Sequence, residues 1–254
     1  MTSRQKAGVW LLLLFDALMV SARQGPPAQG YKPVESSMTV LTNSQLRMVE
    51  PGIFEIGKVR LDQRHRSVSF PAMLDKSQGL MEYFLVTTYG KTHESILKTE
   101  AQPYHIHLAM LLLGAAGPGS ADFPGSPTNG VPGPVVHPSK ETMPGNKVTI
   151  SVKWKTSAGE TRHSPQDLIF KNDTRGVMEG DRWVYNGSLI VQNKFLAQMD
   201  GSIISLVTDP VALINYTGPG HDNDLIWEPN ATNLPAADVP VEVTITLPET
   251  AGKP

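Results

Sequence analysis

Strict alternation of apolar and polar residues is the feature that most constrains the fold of this chain. Over residues 148–154, apolar side chains alternate with threonine, serine and lysine, and residues 241–247 repeat the pattern. A period of two is typical of a strand with one buried and one solvated face. Shorter runs broken by Pro51-Gly52 predict two or three further antiparallel strands between residues 46 and 73. A continuous apolar run over residues 80–88 predicts a strand buried on both faces.

One segment departs from the strand pattern. Residues 103–114 begin with Pro103, which suits the first position of a helix, and end with Gly114, which suits a left-handed cap. The residues between them are apolar nearly all round, as in an interior helix. Glycine and proline recur through residues 114–146, which predicts a long surface loop. We therefore expect an α+β fold, with an antiparallel-rich sheet, one central buried helix (103–114) and a long Pro/Gly loop (114–146).

The N-terminal 22 residues are organised like a secretory signal peptide. Arg4 and Lys6 form a basic head, an apolar run follows over residues 7–20, and small residues end the segment at Ala22. The run is shorter than the roughly twenty residues of a membrane-spanning helix, and Asp16 interrupts it. The sequence thus predicts an exported protein, periplasmic or extracellular, with no stable membrane span after cleavage.

Composition divides the rest of the chain and limits its chemistry. We expect a flexible leader over residues 23–45, a single domain over residues 46–247 and a short tail over residues 248–254. The chain has no cysteine, which excludes disulfides, a cysteine nucleophile and the lipid-modified N-terminal cysteine of a lipoprotein. A formal net charge of −2 provides no electrostatic basis for binding nucleic acid.

Histidine and acidic side chains concentrate around one segment. His93-Glu94 resembles the start of a zinc-protease helix, but the position that needs a second histidine holds Leu97. Two interpretations remain open: a divalent-metal site, or a hydrogen-bonded turn beside polar groups of a helix. The candidate metal ligands are His93, Glu94, His105 and His107, with Lys91 and Ser95 as neighbouring candidate site residues.

Two weaker candidates lie elsewhere. His221, Asp222 and Asp224 follow a Gly-Pro-Gly loop, where they form either a hard-cation site without calcium-loop spacing or a capping turn. Three tryptophans, at positions 154, 183 and 227, provide either core packing or a stacking surface for carbohydrate or peptide. No Gly-x-Ser-x-Gly elbow of a serine hydrolase occurs in the sequence.

Several ordered motifs make the chain resemble the YdjY-domain family of bacterial proteins. They are the segment 91–97, the helix centred on His107, and the segments 183–188, 200–206 and 209–213. The resemblance spans residues 46–247 and implies an often exported domain of unknown activity. Some members are associated with iron–sulfur labels, which a chain without cysteine cannot support.

The sequence leaves two main classes of function. The first is an exported bacterial envelope or secreted protein that binds an envelope or secreted partner without catalysis and without a cofactor. The alternative is a metal-binding protein or metal-dependent hydrolase using His93, Glu94 and His107. We favour the first, because each catalytic motif that we tested is incomplete.

Overall fold

Closure of the main sheet determines the architecture. The computed structural model describes residues 46–116, 143–174, 176–237 and 239–249. Within them the main sheet has twelve strands, and eight of these close into a barrel. Strand accounts for 42% and helix for only 12%, so the predicted α+β fold with a central helix is wrong. The domain is mostly β.

The described residues form the following elements. The strands are β1 (Arg47–Glu50), β2 (Ile53–Ile56), β3 (Val59–Asp62), β4 (Ser67–Leu74), β5 (Tyr83–Thr87), β6 (Ser95–Thr99), β7 (Asn146–Thr156), β8 (Gly159–His163), β9 (Ile169–Lys171), β10 (Trp183–Tyr185), β11 (Ile190–Val191), β12 (Lys194–Phe195), β13 (Ser202–Ser205), β14 (Ile214–Tyr216), β15 (Trp227–Pro229) and β16 (Pro240–Thr246). The helices are α1 (Pro103–Leu112), α2 (Pro165–Leu168) and α3 (Leu196–Asp200), and a 3₁₀ turn covers Thr92–Glu94.

The barrel closes through the long strand β4. Around the barrel the order is β4, β16, β7, β10, β14, β13, β5 and β6, and β6 returns to β4 through the pairs Met73–Lys98 and Leu74–Leu97. The Lys98 ammonium lies 2.7 Å from the Asp75 carboxylate beside this junction. The first half of β4 instead pairs with β3, which extends the sheet through β2 to β1. Outside the main sheet, the described residues form two small antiparallel sheets, β11 with β12 and β9 with β15.

The alternating sequence pattern gives the main sheet a buried apolar face. Leu61, Val68, Ile245 and Ile150 form one row of cross-strand neighbours, and each is at most 5% exposed. The strand predicted over residues 148–154 is confirmed by β7, in which buried apolar residues alternate with more exposed polar ones. The strand predicted within residues 80–88 is confirmed by β5, which is buried at every residue.

The predicted helix forms but does not occupy the centre. An eight-stranded barrel has an interior just wide enough for its own side chains, so it has no space for a helix. Instead α1 packs against β3, β4 and α3. Ile106 and Met110 are fully buried on its inner face, whereas Leu111 and Leu112 are 38% and 43% exposed.

Some sequence predictions lie outside the described residues. They are the signal peptide (1–22), the leader (23–45), most of the predicted loop (117–142) and the end of the tail (250–254). Among the described residues, no helix has the length and apolar character needed to span a bilayer.

Candidate functional site

The predicted residues between Lys91 and Ser95 lie on the 3₁₀ turn that joins β5 to β6. The His93 side chain is 78% exposed, and its Nε2 lies 3.6 Å from the Glu94 carboxylate. Ser95 is fully buried and donates its hydroxyl proton to the Leu97 carbonyl at 2.8 Å. The Ser95 hydroxyl is thus engaged by the backbone and does not contact His93.

The two helix histidines are buried in different surroundings. His107 Nδ1 lies 2.6 Å from the Tyr185 hydroxyl, and its ring centroid is 4.7 Å from that of Phe195. Burial lowers the pKa of His107 to about 4. His105 packs against the turn at Gly57, where an added Cβ would lie 2.5 Å from His105 Nδ1. Burial also lowers the pKa of His105.

The candidate ligands are not brought together. Within the described part of the chain, no group of three or more histidine and acidic side chains has an arrangement able to hold a metal ion. His93 is exposed on the turn, whereas His107 is a buried residue of α1 beside Tyr185. The metal-site assignment therefore stays a prediction with no supporting geometry.

The second predicted cluster fixes a loop to a strand end. Nδ1 of His221 lies 2.7 Å from the Thr208 hydroxyl, and the Thr208 amide donates to the His221 carbonyl at 2.7 Å. Asp222 and Asp224 are exposed beside it. The cation-site and capping-turn interpretations of this cluster both stay predictions.

Lys91 instead begins a chain of hydrogen bonds that the sequence did not reveal. Its ammonium donates to the Tyr83 hydroxyl at 2.8 Å, and that hydroxyl donates to the Asp209 carboxylate at 2.9 Å. Burial and the Asp209 charge raise the pKa of Tyr83, so the phenol keeps its proton. Burial also raises the pKa of Asp209, while bonds from Val211 and Tyr83 and the Lys91 charge oppose that rise.

Two further acids surround Lys91. Burial raises the pKa of Glu82, the neighbouring Glu94 carboxylate raises it further, and Lys91 opposes both effects. Lys91 is therefore the cation that compensates a partly buried acidic neighbourhood. Because its ammonium is bonded to Tyr83 and the phenol stays protonated, neither group is a free base or nucleophile.

The turn that holds Asp209 links distant segments through buried polar groups. The Asp209 amide donates to Asn215 Oδ1 at 2.7 Å, and Asn215 Nδ2 donates to Asn186 Oδ1 at 2.9 Å. The Ser188 hydroxyl donates to the Val211 carbonyl at 2.5 Å. Motifs at 183–188 and 209–213 thus meet in one hydrogen-bonded network, which fixes the turn.

A surface groove lies elsewhere on the domain. It encloses about 650 Å³ between the loop at residues 77–79, the segment 166–170 of α2 and β9, and the segment 228–233 of β15 and its following turn. We call it the amide groove, because its lining includes the side-chain amides of Gln78, Gln166, Asn230 and Asn233. Sequence patterns did not point to it.

Hydrogen bonds shape the wall of the amide groove. Asn230 and Asn233 both donate through Nδ2 to the Asp167 carbonyl, at 3.2 and 2.9 Å. Bonds from the Ser164 backbone amide and hydroxyl lower the pKa of Asp167, although burial opposes this, so its carboxylate stays ionised. Oε1 of Gln166 is buried and accepts no hydrogen bond from the described residues.

The tryptophans do not form a stacking surface. Trp154 is 7% exposed and stacks on His163, with ring centroids 4.7 Å apart. Trp183 and Trp227 are 1% and 0% exposed, and both pack against Tyr216. All three belong to the core.

Fold and site together define a cysteine-free, mostly β domain with a closed barrel, a partly buried lysine–tyrosine–aspartate chain and a polar surface groove. A family model described as the YdjY domain matches residues 59–246, so the chain belongs to the YdjY domain family. The resemblance inferred from the sequence motifs is confirmed. Comparisons with curated proteins and with solved structures find no match.

Proposed function

We propose that this YdjY-domain protein is an exported, non-catalytic binding domain that takes its ligand in the amide groove. The proposal rests on the volume and the lining of this groove. About 650 Å³ falls within the usual range of small-molecule binding sites, and the lining combines several apolar residues with several polar side chains.

The lining also argues against catalysis in the groove. A hydrolytic site needs a nucleophile and a base within hydrogen-bonding reach of each other. The described lining residues include no histidine, lysine or tyrosine to act as that base. Asp167 holds the N-terminus of α2 through Ser164, and Glu228 accepts a hydrogen bond from Asn172 at 3.2 Å. Both carboxylates therefore have structural partners.

The N-terminal sequence supports export as part of the same proposal. A basic head, an apolar run and small residues before position 23 are the features that a signal peptidase recognises. Export places the domain in the periplasm or outside the cell, where envelope or secreted molecules are its available partners and nucleic acid is not. Cleavage after Ala22 also removes the apolar segment, which leaves no stable membrane span.

Export is tested with the full chain carrying a C-terminal tag in a bacterial host. We expect the tagged protein in the periplasmic or secreted fraction, with a mass that corresponds to a chain beginning at Arg23. Retention of the uncleaved chain in the cytoplasm would contradict the proposal of export.

Binding is tested with an alanine that lines the groove. Ala231 is exposed on the 230–233 turn, so Ala231→Trp is expected to fill the groove without disturbing the core. Ala158→Trp, on the exposed turn between β7 and β8, is the matched control. We expect saturable binding of the purified protein to the host envelope fraction that Ala231→Trp abolishes and Ala158→Trp preserves. Equal binding by both variants would contradict a role for the groove.

A further inference from the structure

We infer that the ligand of the amide groove is a neutral carbohydrate chain. This inference rests on the proposed binding function and names the chemical class of its ligand. Three properties of the groove lead to this inference. They are the charge of its lining, the hydrogen-bonding groups of its side chains, and the fact that its strand edges are already paired.

The charge of the lining disfavours an anionic ligand. Asp167 and Glu228 line the groove, and the described lining residues include no lysine, arginine or histidine. A phosphate, a nucleotide or an acidic polymer would bring its charge beside two carboxylates without a compensating cation. The ligand must therefore be neutral or cationic.

The side chains of the groove suit hydroxyl groups. Carboxamides and carboxylates offer donors and acceptors that pair with the adjacent hydroxyls of a sugar. The buried Oε1 of Gln166 is an acceptor without a donor among the described residues. Such an acceptor costs free energy while it has no donor, and a ligand hydroxyl would supply that donor once the Gln166 side chain, which belongs to the groove lining, turns toward the groove.

One aromatic ring is placed to contact the apolar face of a sugar. Phe170 is the direct cross-strand neighbour of Glu228 on one side and of Val177 on the other, so the three side chains share one face of this small sheet. All three residues line the groove, and Phe170 is only partly buried. The groove thus combines an aromatic surface with polar side chains, as sugar recognition requires.

An extended peptide is the main alternative, and the strand edges disfavour it. Peptides that add to a sheet bind mainly through backbone hydrogen bonds along a free edge. Here β9 pairs with β15 on one edge and with Val177 on the other. On β15, the Trp227 carbonyl accepts from the Met81 amide at 3.0 Å, and Pro229 has no N–H. Side chains, and not an open strand edge, therefore provide recognition.

The test uses three neutral hexasaccharides, maltohexaose, cellohexaose and chitohexaose, titrated into the full mature protein by calorimetry. We expect at least one of them to bind with a Kd below about 1 mM. Gln166→Leu, which removes the buried acceptor and nearly preserves its volume, is expected to weaken that binding by about tenfold. Gln63→Leu removes an exposed amide on the turn between β3 and β4, outside the groove lining, and should leave the Kd unchanged.

A parallel titration separates the carbohydrate inference from the binding function. The groove-filled variant Ala231→Trp and an uncharged heptapeptide of serine, alanine and glycine are included. If the peptide binds to the native protein but not to Ala231→Trp, and the sugars do not bind, the carbohydrate inference is overturned and the binding function stands. If sugars bind equally to the native protein, Gln166→Leu and Ala231→Trp, the groove is not their site and the inference is likewise overturned. Envelope binding that Ala231→Trp does not reduce overturns the binding function itself.

Discussion

His107 makes the stability of this domain depend on acid in a predictable direction. The ring is 6% exposed, and its Nδ1 is hydrogen-bonded to the Tyr185 hydroxyl at 2.6 Å. The phenol donates to Nδ1 in the tautomer that carries the ring proton on Nε2. Protonation of Nδ1 would remove this acceptor and place a charge in an apolar surrounding. The folded protein therefore favours the neutral ring, which is why the pKa of His107 falls to about 4.

The size of the effect follows from the difference between the folded and unfolded pKa. An unfolded histidine titrates near 6.5. Above that pH neither state binds the proton, and the contribution of His107 to stability is fully present. As the pH falls from 6.5 toward 4, only the unfolded chain takes up the proton, so the free energy of unfolding decreases. At pH 4.5 the loss attributable to His107 is roughly 2.5 kcal/mol.

Urea unfolding followed by tryptophan fluorescence measures this loss. The free energy of unfolding is compared at pH 7.5 and pH 4.5 for the native protein, for His107→Gln and for His93→Gln. Carboxylates and His105 titrate in all three proteins, so only the difference between them reports His107. We expect His107→Gln to lose about 2 kcal/mol less than the native protein over this range. Because the His93 side chain is 78% exposed, His93→Gln should behave like the native protein. An equal loss in the native protein and His107→Gln would refute the reasoning.

Three further predictions concern other parts of the structure. Lys91→Met should lower the free energy of unfolding by about 1–3 kcal/mol because it leaves the partly buried Asp209 carboxylate without its cation. Asp209→Asn in the same chain should restore part of the loss in a urea-unfolding cycle. Gly201→Ala should cost at least about 2 kcal/mol more than Gly114→Ala in the same assay; both glycines have positive φ, but only at Gly201 would the added Cβ overlap a buried threonine hydroxyl. Elemental analysis of residues 23–254 purified without chelator should find no stoichiometric transition metal, and one equivalent of metal that His93→Ala loses would contradict this.

Strands were predictable because their signal is local. A strand shows its buried face within a few residues, so the alternation at 148–154 identified β7 and the apolar run at 80–88 identified β5. The same local signal identified α1, whose observed bounds, Pro103–Leu112, lie within the predicted segment. Local sequence patterns therefore predicted that β7, β5 and α1 would form.

The arrangement of those elements was not predictable, because it depends on distant pairings. Two residue pairs between β4 and β6 close the sheet into a barrel, and no sequence pattern in either segment predicts this pairing. Once the barrel is closed, its interior is filled from the strands and α1 must pack outside it. Apolar residues nearly all round the helix indicated an interior position, yet Leu111 and Leu112 remain partly exposed.

The candidate site residues illustrate the same limit of local patterns. His93, His105 and His107 are close in sequence, and that proximity suggested a shared ligand, but the turn and the helix direct them to separate surroundings. Lys91 was singled out as a neighbour of the histidines, whereas its partners Tyr83 and Asp209 come from a buried strand and a distant turn.

The amide groove is the feature that sequence patterns were least able to predict. Glutamine and asparagine are ordinary residues at and near the surface, and no spacing distinguishes Gln78, Gln166 and Asn230 from other amide side chains in the sequence. They line one concave surface only because the loop before β5 lies beside the β9–β15 sheet, where the Met81 amide bonds to the Trp227 carbonyl. A groove made by such a contact has no sequence motif of its own, and it is recognised from the shape and the unsatisfied hydrogen-bonding groups that folding creates.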